Sequence, residues 1–186
     1  DHQGHAIRAA LEMLAGLRDL NKGFKEKFGI EIAVGIGLHS GLCRVGNMGS
    51  DDIFDYTIIG DNVNLASRLE SLTKFYGVEL IISQDMAPGL TDALVVQELD
   101  RVRVKGKDTP VSIFTVFSPD AGTRPALEAE INAHDQALAH YKAGAFEKAL
   151  LEFKRLGTTF SDRKIYRIYQ ERCILFQEEP PGEDWD

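Results

Sequence analysis

The sequence has little cysteine, a deficit of positive charge and no long apolar run, and each shortage excludes a class of protein. Its two cysteines, Cys43 and Cys173, lie far apart and form no C-x-x-C pair. This pattern argues against a disulfide scaffold and a zinc site, and we interpret both residues as reduced thiols. The chain has 21 basic and 29 acidic residues, and the resulting net charge of −8 disfavours binding to nucleic acid or to an anionic membrane surface.

Several sequence signatures are also missing. No stretch approaches the roughly 18 consecutive apolar residues of a membrane span, and no signal peptide is recognisable. The five histidines show no metal-ligand spacing, and we interpret them as structural or exposed. The P-loop, the dinucleotide-binding glycine fingerprint and the nucleophile elbow are all absent, which excludes three large classes of enzyme.

What is present is a globular composition with a mixed pattern of helices and strands. The chain has 186 residues, of which 44% are hydrophobic, enough for one domain with an appendage. It begins at Asp1 rather than at a methionine, so we expect a portion of a longer protein. Hydrophobic periodicity predicts helices over 1–28, 62–76 and 84–89, and strands over 31–38, 42–46, 53–59, 79–83, 95–104 and 111–117.

Three details of this pattern can be tested directly. Asp1 and Asp61 are predicted to cap the first two long helices, and 47–52 is predicted to be a turn. In the strand over 31–38, one face carries only Ala33, Gly35 and Gly37, so a helix can pack closely against it. Strands that alternate with helices, some of them joined by hairpins, predict an α+β fold.

One candidate site lies at the start of the helix over 62–76. The helix N-terminus presents unpaired backbone N–H groups and a partial positive charge. Asn64 and Arg68, four residues apart, project from one face and together suit an anionic ligand. Spacing alone favours the alternative, in which Asn64 is a residue of the first helical turn and Arg68 is a solvated surface residue.

A second candidate is a basic stripe near the end of the predicted strand over 95–104. Alternation places Arg101, Arg103 and Lys105 on one side, and Gly106 allows a close backbone approach to a ligand. A phosphate-binding role and the solvated face of an edge strand are equally good interpretations of this pattern.

Four segments carry a resemblance to a known family: residues 35–41, 45–50, 55–70 and 104–107. In order and spacing they resemble the class III nucleotidyl cyclase catalytic domain, over about residues 1–117. The resemblance implies a ferredoxin-like α+β core and head-to-tail homodimers. It also implies conversion of ATP or GTP into a 3′,5′-cyclic nucleotide and pyrophosphate in intracellular signalling, with two Mg or Mn ions as cofactors.

The resemblance assigns roles to four residues. By motif position, Asn64 would orient the ribose, Arg68 would stabilise charge on the α-phosphate and Lys105 would hold the terminal phosphates. Thr57 would lie where the purine edge is read, and a threonine there favours ATP over GTP. Asn64 and Arg68 are therefore the expected catalytic residues, and Thr57 and Lys105 the expected substrate-binding residues.

The sequence departs from the family in its N-terminal part. The strand and the Gly-Asp hairpin that should carry two metal-binding aspartates are absent, as is the base-reading lysine. Asp55 and Asp61 do not lie in those motifs, so we assign no metal ligand and expect this chain by itself to be inactive. One alternative is a catalytically dead regulatory domain that binds nucleotide or a partner cyclase. Another is a protein-interaction module acting through the C-terminal helices.

Residues 126–186 lie outside the resemblance. We predict helices over 126–143, 146–156 and 162–177, then an irregular tail, with 118–125 as a linker. Tyr141, Gly144, Phe146 and Ala149 are spaced as in a tetratricopeptide-type helical hairpin. A single hairpin cannot bury its own face, so it should pack on residues 1–117 or on a dimer partner. The tail resembles those of bacterial cyclases that carry an extracytoplasmic sensor and membrane spans. This resemblance implies a membrane-anchored parent receptor, with the present segment in the cytoplasm and without membrane contact of its own.

Overall fold

The computed structural model describes residues 1–50, 53–103 and 110–182, and for 48–50, 53 and 54 it describes the backbone only. The helices are α1 (His2–Phe28), α2 (Asp61–Tyr76), α3 (Arg124–Lys142), α4 (Phe146–Thr159) and α5 (Lys164–Glu178), with a 3-10 helix at Gln84–Gly89. The strands are β1 (Ile36–Leu38), β2 (Arg44–Ser50), β3 (Ile53–Ile59), β4 (Leu80–Ser83), β5 (Val95–Val102) and β6 (Val111–Phe117). This arrangement confirms the predicted α+β class.

Two of the strands form a separate hairpin, and four form a sheet. The sheet order is β1-β4-β6-β5, in which β1 runs parallel to β4 and the other neighbours are antiparallel. In the hairpin, β2 and β3 pair in continuous register from Arg44 opposite Ile59 to Ser50 opposite Ile53. The hairpin leads directly into α2, and β6 leads into the C-terminal helices.

The helix ends follow local rules, with one correction. The Asp1 carboxylate accepts a hydrogen bond from the Gly4 backbone N–H at 2.9 Å, so the predicted cap of α1 is confirmed. At the other end Gly29 adopts a left-handed conformation with φ 66°, as a terminating glycine does. The predicted cap at Asp61 is wrong: Gly60 is the N-cap, and Asp61 lies inside the first turn. There its negative charge still faces the positive end of the helix dipole.

Strand lengths differ from the prediction where pairing decides them. Only Ile36–Leu38 of the predicted strand over 31–38 is a strand, because only this stretch pairs with β4. Conversely, residues 47–50 belong to β2 rather than to a turn, because they pair with β3; residues 51 and 52 lie outside the described part of the chain. Strand β5 ends at Val102, before Arg103.

The bare glycine face does receive a helix, as expected. A Cβ atom on Gly37 would collide with the backbone of α2 at Ala66 and Glu70, and one on Gly35 would collide with the Thr73 side chain. The glycines therefore let α2 approach the sheet more closely than any larger residue would allow.

The C-terminal helices pack on the sheet of the same chain. One continuous cluster of buried residues includes Leu65 and Leu69 of α2, Leu99 of β5, and Phe153 and Tyr169 of α4 and α5. The C-terminal helices were expected to pack either on residues 1–117 or on a dimer partner, and the structure shows them packed on residues 1–117. The turn between α3 and α4 has Gly144 at φ 74°, with buried residues on both sides.

The domain boundaries 1–117, 118–125 and 126–186 stay predictions; α3 begins at Arg124, within the proposed linker. None of the helices described is long and apolar enough to cross a membrane.

Candidate functional site

A cavity lined by arginines lies between α2 and the end of β5. Its volume is about 570 Å³, and Leu65 and Leu69 form part of its apolar wall. Four arginines also line it, together with one acidic residue: Arg68, Arg101, Arg103, Arg172 and Asp100. An apolar wall with an excess of fixed cationic groups suits a ligand that combines a ring system with phosphates. The structure thus brings Arg68 together with the two described residues of the basic stripe.

The amphipathic pattern of α2 explains why Arg68 points away from the core. Leu65, Leu69 and Tyr76 are almost fully buried, which turns the opposite face of the helix toward solvent. Asn64 and Arg68 are both exposed, one helical turn apart. The Asn64 backbone N–H already donates to the Gly60 carbonyl at 3.1 Å, so its side-chain amide is the group that can reach a ligand.

Of the predicted site residues that the structure describes, Arg68 lines the cavity, whereas Asn64, one turn earlier on α2, is not part of its lining. Thr57 is exposed on β3, opposite Gly46 of β2, and the cavity lining does not include it. Lys105 lies outside the described residues, two positions after Arg103. The roles of Asn64, Arg68, Thr57 and Lys105 stay predictions.

A buried histidine anchors the start of α2. The His39 side chain is 2% exposed; its Nδ1 lies 2.7 Å from the Ser83 hydroxyl, and its Nε2 lies 3.0 Å from Asn62 Oδ1. Asn62 Nδ2 donates to the Leu42 carbonyl at 2.8 Å, which leaves Oδ1 to accept from His39. The interpretation of His39 as structural agrees with these bonds, which tie the first turn of α2 to the ends of β1 and β4.

Sequence reasoning missed a second anchor, at the other end of α2. The Asp100 carboxylate accepts hydrogen bonds from the Tyr76 hydroxyl at 2.5 Å and from Arg172 Nη1 at 2.6 Å. Burial and the Asp100 charge raise the pKa of Tyr76, so the phenol keeps its proton and donates. Burial lowers the pKa of Arg172, but the Asp100 carboxylate more than offsets this and the net shift is upward. The sequence offered one signal of this anchor, namely that the acidic residue Asp100 interrupts the basic and apolar alternation of the predicted strand over 95–104.

The described residues do not fit the two-metal site that the resemblance implies. Within 1–50, 53–103 and 110–182, no group of three or more His, Cys, Asp or Glu side chains is placed to hold a metal ion. We therefore derive no step of the chemistry through a metal held by this chain.

The sequence of this chain is similar to those of known nucleotidyl cyclases. The family described as "Adenylate and Guanylate cyclase catalytic domain" matches residues 1–117. The "Adenylate cyclase, terminal-differentiation specific" of Dictyostelium discoideum is 30% identical over 175 residues, which is 91% of this chain and 8% of that protein. Its alignment therefore extends beyond residue 117.

Two solved structures are similar in fold as well as in sequence. The adenylyl cyclase CyaB from P. aeruginosa is 31% identical, with a TM-score of 0.53, over 64% of this chain and 60% of that chain. The guanylyl cyclase Cya2 is 30% identical, with a TM-score of 0.55, over 65% of this chain and 60% of that chain. The chain thus spans less than two thirds of each of these proteins. With this family match and these shared folds, the chain belongs to the adenylate and guanylate cyclase catalytic domain family.

Proposed function

We propose that this chain is the part of an adenylate cyclase that binds ATP and stabilises the transition state as 3′,5′-cyclic AMP and pyrophosphate form. The observation that carries the proposal is the arginine-lined cavity, in which Arg68 of α2 meets Arg101 and Arg103 of the basic stripe. In a chain of net charge −8, this local excess of positive charge suits a polyphosphate. The family match supports cyclase chemistry over other phosphate-binding functions.

The proposed roles follow from how charge moves in the reaction. The ribose 3′-oxygen attacks the α-phosphorus, its bond to phosphorus forms, and the bond to the pyrophosphate oxygen breaks. Arg68 presents a planar fork of donors to the α-phosphate, where negative charge develops. Asn64, one turn away, orients the ribose, and Lys105 holds the terminal phosphates. Positioning and charge stabilisation carry most of the catalysis in phosphoryl transfer, so these residues need no covalent chemistry.

Thr57 and the hairpin that carries it provide the specificity and the partner contact in this proposal. Thr57 reads the purine edge and favours ATP over GTP. The region around it exposes apolar side chains that a monomer would leave in water: Leu42, Val45, Tyr56, Ile58 and Ile59. An exposed cluster of this kind favours an interface with a second copy, which would complete the site and supply groups that this chain lacks. A cytoplasmic location agrees with a nucleotide triphosphate as substrate.

One observation favours a second candidate function. Because the described residues hold no metal-ligand set, this chain fits equally a regulatory domain that binds nucleotide without turnover. The two functions differ in their products. The enzyme releases cyclic AMP when a subunit with metal ligands completes the site, whereas the regulatory domain binds ATP and leaves it unchanged.

The test is steady-state formation of cyclic AMP by a full-length cyclase that contains this chain. Arg68→Ala should lower kcat by ~10²–10³ and change KM much less, since Arg68 acts mainly on the transition state. Arg167→Ala is the matched control, because this arginine is 69% exposed on α5 and pairs with the surface residue Glu171. Unchanged kcat and KM in the Arg68 variant would refute its assigned role.

A mixing experiment tests the shared site. A subunit with Arg68→Ala should regain activity when mixed with a subunit that lacks only its metal-binding aspartates, because each variant leaves the other half of one site intact. No recovery on mixing would contradict a site shared between two copies.

A further inference from the structure

We propose that the C-terminal helices are a positioning element for the arginine-lined cavity, acting through a β-bulge in strand β5. This inference rests on the proposed function, since it concerns the same site. In this proposal, α3 and α5 fix the orientation of the end of β5, which carries Arg101 and leads to Arg103.

The bulge lies at Leu99. Pairing between β5 and β6 places Glu98 opposite Phe114 and Asp100 opposite Ile113, so Leu99 is skipped in the ladder. A bulge of this kind bends a strand and re-aims the side chains that follow it. Two arginines come soon after the bulge at Leu99: Arg101 near the end of β5 and Arg103 just past the strand. Both line the cavity.

The C-terminal helices supply the hydrogen bonds that hold the bulge. Leu99 is fully buried, and its carbonyl accepts from the Tyr169 hydroxyl of α5 at 2.7 Å. The preceding carbonyl, on Glu98, accepts from His134 Nε2 of α3 at 2.8 Å. The Glu98 side chain pairs with Lys142 Nζ at 2.6 Å. Because a buried carbonyl without a donor is costly, the bonds from the helices stabilise the path of the strand through the bulge.

Asp100 extends the same support to α2. Its carboxylate binds both the Tyr76 hydroxyl, at the end of α2, and Arg172 of α5. Three elements that reach the cavity, α2, β5 and α5, therefore meet at one carboxylate, which is mostly buried. A shift of α5 would move the helix that carries Arg68 and the strand that carries Arg101 together.

The comparison with the Dictyostelium relative agrees with this role. Its alignment covers 91% of the chain, so the segment after residue 117 accompanies the catalytic domain there as well. A segment that only filled space on the sheet would need no hydrogen bonds directed at the bulge.

The experiment compares two tyrosines one turn apart on α5. Tyr169→Phe removes the donor to the bulge, whereas Tyr166→Phe removes a hydroxyl that bonds Glu130 of α3 at 2.6 Å. Tyr166 also contacts the Gln97 side chain, ahead of the bulge. Both tyrosines are fully buried, and each substitution deletes one oxygen. Because the Tyr166 hydroxyl bonds a carboxylate, its loss should destabilise the protein at least as much as the loss of the Tyr169 hydroxyl, so general destabilisation cannot explain a larger local effect of Tyr169→Phe.

Two readouts separate the inference from the proposed function. Hydrogen exchange at residues 98–103 needs no ligand; Tyr169→Phe should accelerate it, and Tyr166→Phe should leave it near the wild-type rate. ATP binding by a full-length cyclase that contains this chain, measured calorimetrically, should weaken about fivefold or more in Tyr169→Phe and less than about twofold in Tyr166→Phe. Equal effects of the two substitutions on either readout would overturn the inference. Absence of ATP binding by that wild-type cyclase would instead refute the proposed function, and the positioning role with it, even if exchange behaved as expected.

Discussion

The buried imidazole of His134 should make the stability of this protein depend on pH. His134 is fully buried on α3, with the rings of Phe153, Tyr166 and Tyr169 within about 6 Å of its own. Burial lowers the pKa of His134 from 6.5 to about 4, its bond to the Glu98 carbonyl opposes the shift, and the nearby Lys142 charge adds to it. The folded protein favours the neutral imidazole because the ring is buried and its Nδ1 has no hydrogen-bond partner among the described residues, so a proton added there would be buried without an acceptor.

The sign of the effect follows from proton uptake. As the pH falls, the unfolded chain binds a proton on this histidine near pH 6.5, whereas the folded chain binds it only near pH 4. Between these values the unfolded state holds more protons, so the free energy of unfolding decreases as the pH falls. The full contribution of His134 is ~3 kcal/mol, of which ~2 kcal/mol is lost by pH 5. Below about pH 4 the contribution no longer changes.

The assay is urea unfolding followed by far-ultraviolet circular dichroism at pH 7 and pH 5. His134→Gln keeps an amide donor for the Glu98 carbonyl but cannot titrate, so its stability should fall ~2 kcal/mol less than that of the wild type between the two pH values. His5→Gln removes an exposed histidine on α1 and should keep the wild-type dependence. Identical pH dependence in the wild type and His134→Gln would refute the reasoning.

Two further predictions concern packing. Phe153 is fully buried and stacks on the Tyr169 ring, with 4.7 Å between the ring centroids. In urea titrations, Phe153→Ala should therefore lower the free energy of unfolding by ~3–5 kcal/mol. The control Leu151→Ala, at a side chain that is 53% exposed, should lower it by under about 1 kcal/mol. Similar losses would show that α4 does not pack as described. Gly37→Ala should cost ~1–3 kcal/mol or more, because its Cβ meets the backbone of α2, and Gly46→Ala should be tolerated, since nothing lies within 4 Å of its Cβ. A thermal melt of both alanine variants checks this, and a stable Gly37→Ala protein would contradict the close approach of α2.

Much of the fold was predictable because its signals are local. The apolar spacing along α1 and α2, the Asp1 cap and the glycines at both helix ends act within a few residues of one another. The same holds for Asn64 and Arg68, whose shared face follows from helical geometry alone. Resemblance to the cyclase family then gave these residues candidate roles that spacing by itself did not favour.

The sequence by itself thus determined the type and order of the elements, the amphipathic faces of the helices and the family. Only the tertiary structure decided how long β1 and β2 are, since a strand needs a partner and its pairing residues lie elsewhere in the chain. Tertiary structure also decided the bulge at Leu99 and the carboxylate of Asp100 shared by Tyr76 and Arg172, which join residues 24 and 72 positions away. Local patterns carry no information on such contacts, because the energy of a buried hydrogen bond depends on which distant group the packed core brings within reach.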